Sequence, residues 1–149
     1  MSSLLPPPFQ HLQRYSTPAS ESSLSERFGL NWDAQMQDWD LNNANAERLP
    51  VLLVALGESH LADDERYALT ALAIASVDEA IQLDLGPQDH WETLEALLRR
   101  RPGLIAPLIF YWAEPALRGV DVEEQYSISG RMARLWNQIL PELPPNPGS

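Results

Sequence analysis

A chain of 149 residues with 44% apolar content is long enough to bury a core, yet it carries 21 Asp and Glu against 10 basic residues, a formal net charge of −11. Such a balance repels phosphate backbones and supplies no basic amphipathic helix for an anionic bilayer, so neither nucleic acid nor membrane is an expected partner. Cysteine is absent, which removes disulfides, thiol nucleophiles and cysteine-based zinc sites, and every basic residue is Arg.

Residues 1 to 24 hold Pro6, Pro7, Pro8 and Pro18 and a run of small polar residues, and they read as a loosely docked or disordered arm. Phe9, Leu12 and Tyr15, at i, i+3 and i+6, are the residues that would pin it. The stretch MSSLLPPPFQH has neither a basic start nor an apolar run of signal-peptide length, so a cytoplasmic location is expected. From Ser25 to Asn45 the chain is rich in aromatics and acids. Trp32, Met36 and Trp39 at i, i+4 and i+7 predict a short helix with one face inward.

Asn43 or Asn45 can cap the next helix, which runs to about Leu56 and stops at Gly57. Pro50 fits only in its first turn. VLLVAL is apolar throughout, but no second strand candidate exists to pair with it, so helix is the expectation. Next comes DDERYALTALAIASVDEAIQLDL, 63 to 85, which opens on three acids and has no charge from Tyr67 to Val77. Leu69, Leu72, Ala73, Ser76, Ala80 and Leu83 form one stripe at 100° per residue; Tyr67, Ile74, Val77, Ile81 and Leu85 form another. Two apolar faces make it the central helix, stopped by Gly86-Pro87. A helix capped by Asp89 should follow through Arg100, with Trp91, Leu94, Leu97 and Leu98 inward and Arg99, Arg100 and Arg101 at its C-terminal dipole. GLIAPLIFYWAEP predicts a helix from about Leu104 to Ala113, irregular at Pro107, and 117 to 126 reads as loop. After Ser127 or Ser129 as cap, Met132, Leu135, Trp136 and Ile139 face inward, while Arg131, Arg134, Asn137 and Gln138 face outward, up to Pro141. The expected fold is all-α: a compact bundle of about five helices around 63–85 in a single domain at 25–140, with a disordered tail at 141–149.

Chemistry is sparse. His60 with Asp63, and His90 with Glu92, lack the spacing of a metal signature, and helix N-termini account for the acids, so no metal or cofactor is expected. Gly57-Glu58-Ser59-His60 lacks the closing glycine of a nucleophile elbow, and the seven glycines include no phosphate-binding loop. The chain does not read as an enzyme. What it has is charge. Between Glu58 and Glu95 stand ten acids and one base, Arg66, a net −9. Asp63, Asp64, Glu65, Asp89, Glu92 and Glu95 are the candidate partner-binding residues, suited to a cationic protein surface.

DDERYALTALAIASVDEAI, the Trp-containing helix after it and the IFYWA segment together resemble small acidic bacterial proteins of immunity type, over about residues 58 to 140. Those proteins share no common motif, so no binding residue carries over. The resemblance implies a cytoplasmic, non-enzymatic inhibitor that binds and occludes a cognate antibacterial toxin, basic or directed at nucleic acid. The alternatives are an adaptor or chaperone for another basic protein, or a small enzyme without a recognisable motif.

Overall fold

Asp63–Leu83 is an unbroken α-helix of 21 residues in the computed structural model, which describes residues 4–145. It is the fourth of seven α-helices among the described residues: α1 (Pro18–Phe28), α2 (Trp39–Asn43), α3 (Leu49–Leu56), α4 (Asp63–Leu83), α5 (Pro87–Leu98), α6 (Pro102–Leu117) and α7 (Ser129–Ile139). Short 3₁₀ turns lie at Pro7–Leu12, Ala46–Arg48, Val122–Glu124 and Leu140–Glu142, and no described residue is in a strand. The class is all-α, with more helices than the five or so expected. They fall into two compact units. One is Tyr15–Leu97; the other joins the chain up to Arg14 with the chain from Leu98 onward. The boundaries expected at 24/25 and 140/141 do not coincide with these.

In the unit Tyr15–Leu97, α4 is buried continuously from Tyr67 to Asp78, and α1, α2, α3 and the Ala46–Arg48 turn pack against it. Burying a Leu or Ile such as Leu69, Leu72 or Ile74 contributes about 1.5–3 kcal/mol each. The polar residues of this helix are used locally. Ser76 Oγ accepts the N–H of Asn45 at 3.0 Å, and Glu79 Oε2 accepts that of Ala46 at 2.7 Å. Asn45 in turn accepts the Glu47 N–H, capping the 3₁₀ turn that leads into α3. Pro50 then falls in the first turn of α3 and causes no break. The end of α4 differs from expectation. Asp84 takes the left-handed conformation (φ 54°) and the Leu85 N–H bonds to Ala80 O at 2.9 Å, so the helix closes before Gly86, and Leu83 and Leu85 are exposed.

The arm expected at 1–24, of which residues 1–3 lie outside the described residues, carries regular structure at Pro7–Leu12 and from Pro18 onward instead. Thr17 caps α1 through the Ser20 N–H, Pro18 occupies the first turn, Gly29 (φ 66°) ends the helix, and Leu24 is buried. The helix predicted from Trp32, Met36 and Trp39 is also corrected. Trp32 is exposed in a loop, and only Trp39, in the short α2, is enclosed. The loop is closed by Asn43, whose side chain accepts the Asn31 N–H and donates to Asn31 O, both at 3.0 Å.

In the other unit, α6 packs along α7 and the Pro7–Leu12 turn. Leu5 is buried, and Phe9 meets Trp136 edge-on with ring centroids 6.2 Å apart. Helix α6 runs through both Pro107 and Pro115, longer at each end than predicted. Met132, Leu135, Trp136 and Ile139 of α7 are buried as expected, but the helix starts without the serine cap, and Ser129 is itself buried. Leu143 is also buried, within the stretch expected as tail; residues 146–149 of that stretch lie outside the described residues. Among the described residues no helix is long and apolar enough to cross a membrane.

Candidate functional site

Helix α3 contains no polar residue at all: LPVLLVAL. Leu49, Leu52, Leu53, Ala55 and Leu56 turn inward and are buried. The opposite face, Pro50, Val51 and Val54, is left in water, with Val51 59% and Val54 73% exposed. A helix apolar all round is normally covered on all sides, so this outer face stands out. It borders the end of α1, where Arg48 donates to Phe28 O at 2.9 Å and holds that end in place. Between the two lies a groove of about 350 Å³ lined by Arg27 and Phe28, by Pro50, Val51, Val54 and Ala55, and by Glu58.

Charge is organised at one end of this groove. Arg27 lies over the Phe28 ring, 4.9 Å from its centroid, and donates to Glu58 Oε1 at 2.9 Å. His60 Nε2 stands 3.2 Å from Glu58 Oε2. The Arg66 guanidinium bonds the carbonyls of Leu56 and Glu58, tying the end of α3 to the first turn of α4. That turn carries Asp63, Asp64 and Glu65. Three of the six residues selected from the sequence therefore stand in the turn that Arg66 ties back to the end of α3, and they do not line the groove itself. Asp63 and Asp64 are exposed, Glu65 half-buried. The other three, Asp89, Glu92 and Glu95, share a face of α5; Asp89 and Glu92 are exposed, Glu95 is half-buried, and Glu92 accepts from Gln88 at 3.1 Å. The six thus form two groups on two helices. Sequence reasoning missed the groove, although VLLVAL was its signal.

The two units differ sharply in charge. Tyr15–Leu97 holds sixteen acids and three Arg, a net −13; the remainder holds five acids and seven Arg, a net +2. No family model, characterised protein or solved structure matches the chain.

A further carboxylate group, not selected from the sequence, lies where α1 meets α2. Burial pushes the Asp40 carboxyl up from 3.8 to about 6, against hydrogen bonds from the Leu41 and Asp40 N–H groups; the charges of Asp38 and Glu21 add to the rise. Glu21 is raised as well, by burial. Among the described residues no three His, Asp or Glu side chains are grouped to hold a metal ion. The folded state holds the Asp40 proton more tightly than the unfolded chain does. Its stabilising effect is complete below about pH 4 and is lost as pH rises through about 6. Asp40→Asn should therefore be more stable than the parent at pH 7.5, by on the order of 2 kcal/mol, and nearly equal at pH 4. Urea titrations at the two pH values read the difference; an equal shift at both would mean that Asp40 ionises normally.

Proposed function

We propose that this protein is a non-enzymatic, cytoplasmic inhibitor of immunity type, which binds a basic protein toxin through the acidic unit Tyr15–Leu97. The observation that carries the reading is the concentration of charge, −13 on that unit, with Asp63, Asp64, Asp89 and Glu92 exposed. Burial of α4 requires no such excess of acid. A surface of this kind steers a cationic partner into encounter and suppresses wrong ones. The resemblance of 58 to 140 to immunity-type proteins supports the same reading. The apolar face of α3 supplies what charge alone does not, a desolvated contact to slow dissociation.

The test is co-expression with the product of the adjacent reading frame. Growth should stop when that product is made alone and recover when this protein is made with it. Reversing Asp63, Asp64, Glu92 and Glu95 to Arg should abolish rescue while the domain stays folded. The association rate of the parent should fall about tenfold or more between low and physiological salt, because exposed charges are screened over roughly 8 Å there. A neighbour that binds tightly but is harmless alone would favour an adaptor or chaperone. Charge reversals that leave rescue and association rate unchanged would defeat the acidic-surface reading.

A further inference from the structure

Val51 and Val54 are branched aliphatic side chains held out into water by a helix whose opposite face is anchored in the core. Their positions are fixed, so a partner gains apolar contact there without first ordering the surface. Among the described residues the cation lining the groove is Arg27, which is paired with Glu58 at 2.9 Å. An acidic segment would find no uncommitted positive charge in the groove. Arg27 and Glu58 neutralise each other in the groove itself, and the unit around it is net −13, with Asp63, Asp64 and Glu65 following Glu58 in the first turn of α4. A second copy seated groove to groove would bring together two units of net −13, which disfavours self-association.

We propose that the α1–α3 groove receives a cationic amphipathic helix of the partner protein, whose aliphatic side chains pack on Val51, Val54 and Phe28 and whose Arg or Lys residues face the acidic first turn of α4. This rests on the protein-binding reading above and names the chemistry of what is bound. The apolar contact sets affinity, and the charges set polarity, fixing which end of the bound helix meets α4.

The probe is a synthetic 16-residue helical peptide with Leu at i, i+4, i+7 and i+11 and Arg at flanking positions, titrated into the full chain and followed by amide chemical shifts. Controls replace its Leu by Ser, or its Arg by Glu. The Leu/Arg peptide should shift the amides of Phe28, Val51 and Val54, and each control should bind about tenfold more weakly or not at all. Val51→Ser combined with Val54→Ser removes only exposed apolar surface. It should keep the parent melting temperature and lose about tenfold in affinity for the peptide. No binding of the Leu/Arg peptide, or equal binding by the double variant, overturns the proposal. So does a concentration-dependent dimer that the double variant abolishes, since a second copy would then occupy the groove. The co-expression assay separates this from the function itself. If the double variant rescues growth as well as the parent while the charge reversals fail, the groove proposal falls and the immunity reading stands. If the neighbour is harmless, the immunity reading falls and the titration still decides the groove.

Discussion

Ile74→Asp is expected to unfold the unit Tyr15–Leu97. Ile74 is fully buried in the middle of α4, where its nearest neighbours along the helix are Ala73 and Ala75, also buried. A carboxylate there would have to shed its water without gaining a partner, or take up a proton, and either outcome costs several kcal/mol. Loss of the isoleucine side chain adds about 2–5 kcal/mol. The sum is comparable with the roughly 5–15 kcal/mol that holds a whole domain together. Circular dichroism at 20 °C should show most of the unit's helical signal gone. The control, Ile74→Val, should cost about 0.5–1.5 kcal/mol and keep a cooperative melt. If the aspartate variant melted within a degree or two of the parent, Ile74 could not be enclosed as described.

Trp39→Ala is expected to have the next largest effect, about 3–5 kcal/mol. Trp39 is 2% exposed, and its Nε1 donates to Ser25 Oγ at 2.8 Å, so one side chain joins α2 to α1 by both packing and a hydrogen bond. Both partners are buried, and truncation leaves a cavity together with an unpaired Ser25 hydroxyl. Trp39→Phe isolates the second part and should cost on the order of 1–2 kcal/mol. Urea unfolding measures both. Hydrogen exchange adds a local reading, since the amides of α1 should lose protection in Trp39→Ala before those in the middle of α4. A loss below about 1 kcal/mol for the alanine variant would mean that α1 is held elsewhere.

Long-range periodicity was the legible part of this fold. The alternating faces of α7 show a clear 3.6-residue pattern, and the uncharged run of α4 places that helix although it is buried all round from Tyr67 to Asp78 rather than on two stripes; both lie where the sequence puts them. Short elements were not legible in the same way. At α1 the signals were present: Thr17 as cap, Pro18 after it, Glu21 in the first turn and Gly29 at the end. They were outweighed by a composition of Ser and Pro that suggested an arm. Trp32 misled for the opposite reason, because a helical spacing to Trp39 arose in a loop that Asn43 closes through its side chain, a contact no spacing rule anticipates. Asp84 took the left-handed position that glycine usually fills, which moved the end of α4 two residues from where Gly86 marked it.

The site was half legible. Runs of acid are visible in any sequence, so Asp63, Asp64 and Glu65 could be selected directly. A groove depends on what lies across from α3, and nothing in VLLVAL says that Arg27 and Phe28 will stand opposite. The sequence did carry one usable sign: an eight-residue helix with no polar side chain, in a protein otherwise rich in charge.

The paired acceptors on α4 bear on register. Its buried surface sets the small side chains of Ala68, Ala71, Ala73, Ala75 and Ala80 among the larger Tyr67, Leu69, Leu72, Ile74 and Val77, and packing of such unequal shapes already resists a slide along the axis. Ser76 and Glu79 add a directional constraint. They meet two successive backbone N–H groups, those of Asn45 and Ala46, and a slide of one turn, about 5.4 Å, would strand both donors together. Two polar side chains thus act as a key, adding hydrogen-bond direction to the alignment that packing selects.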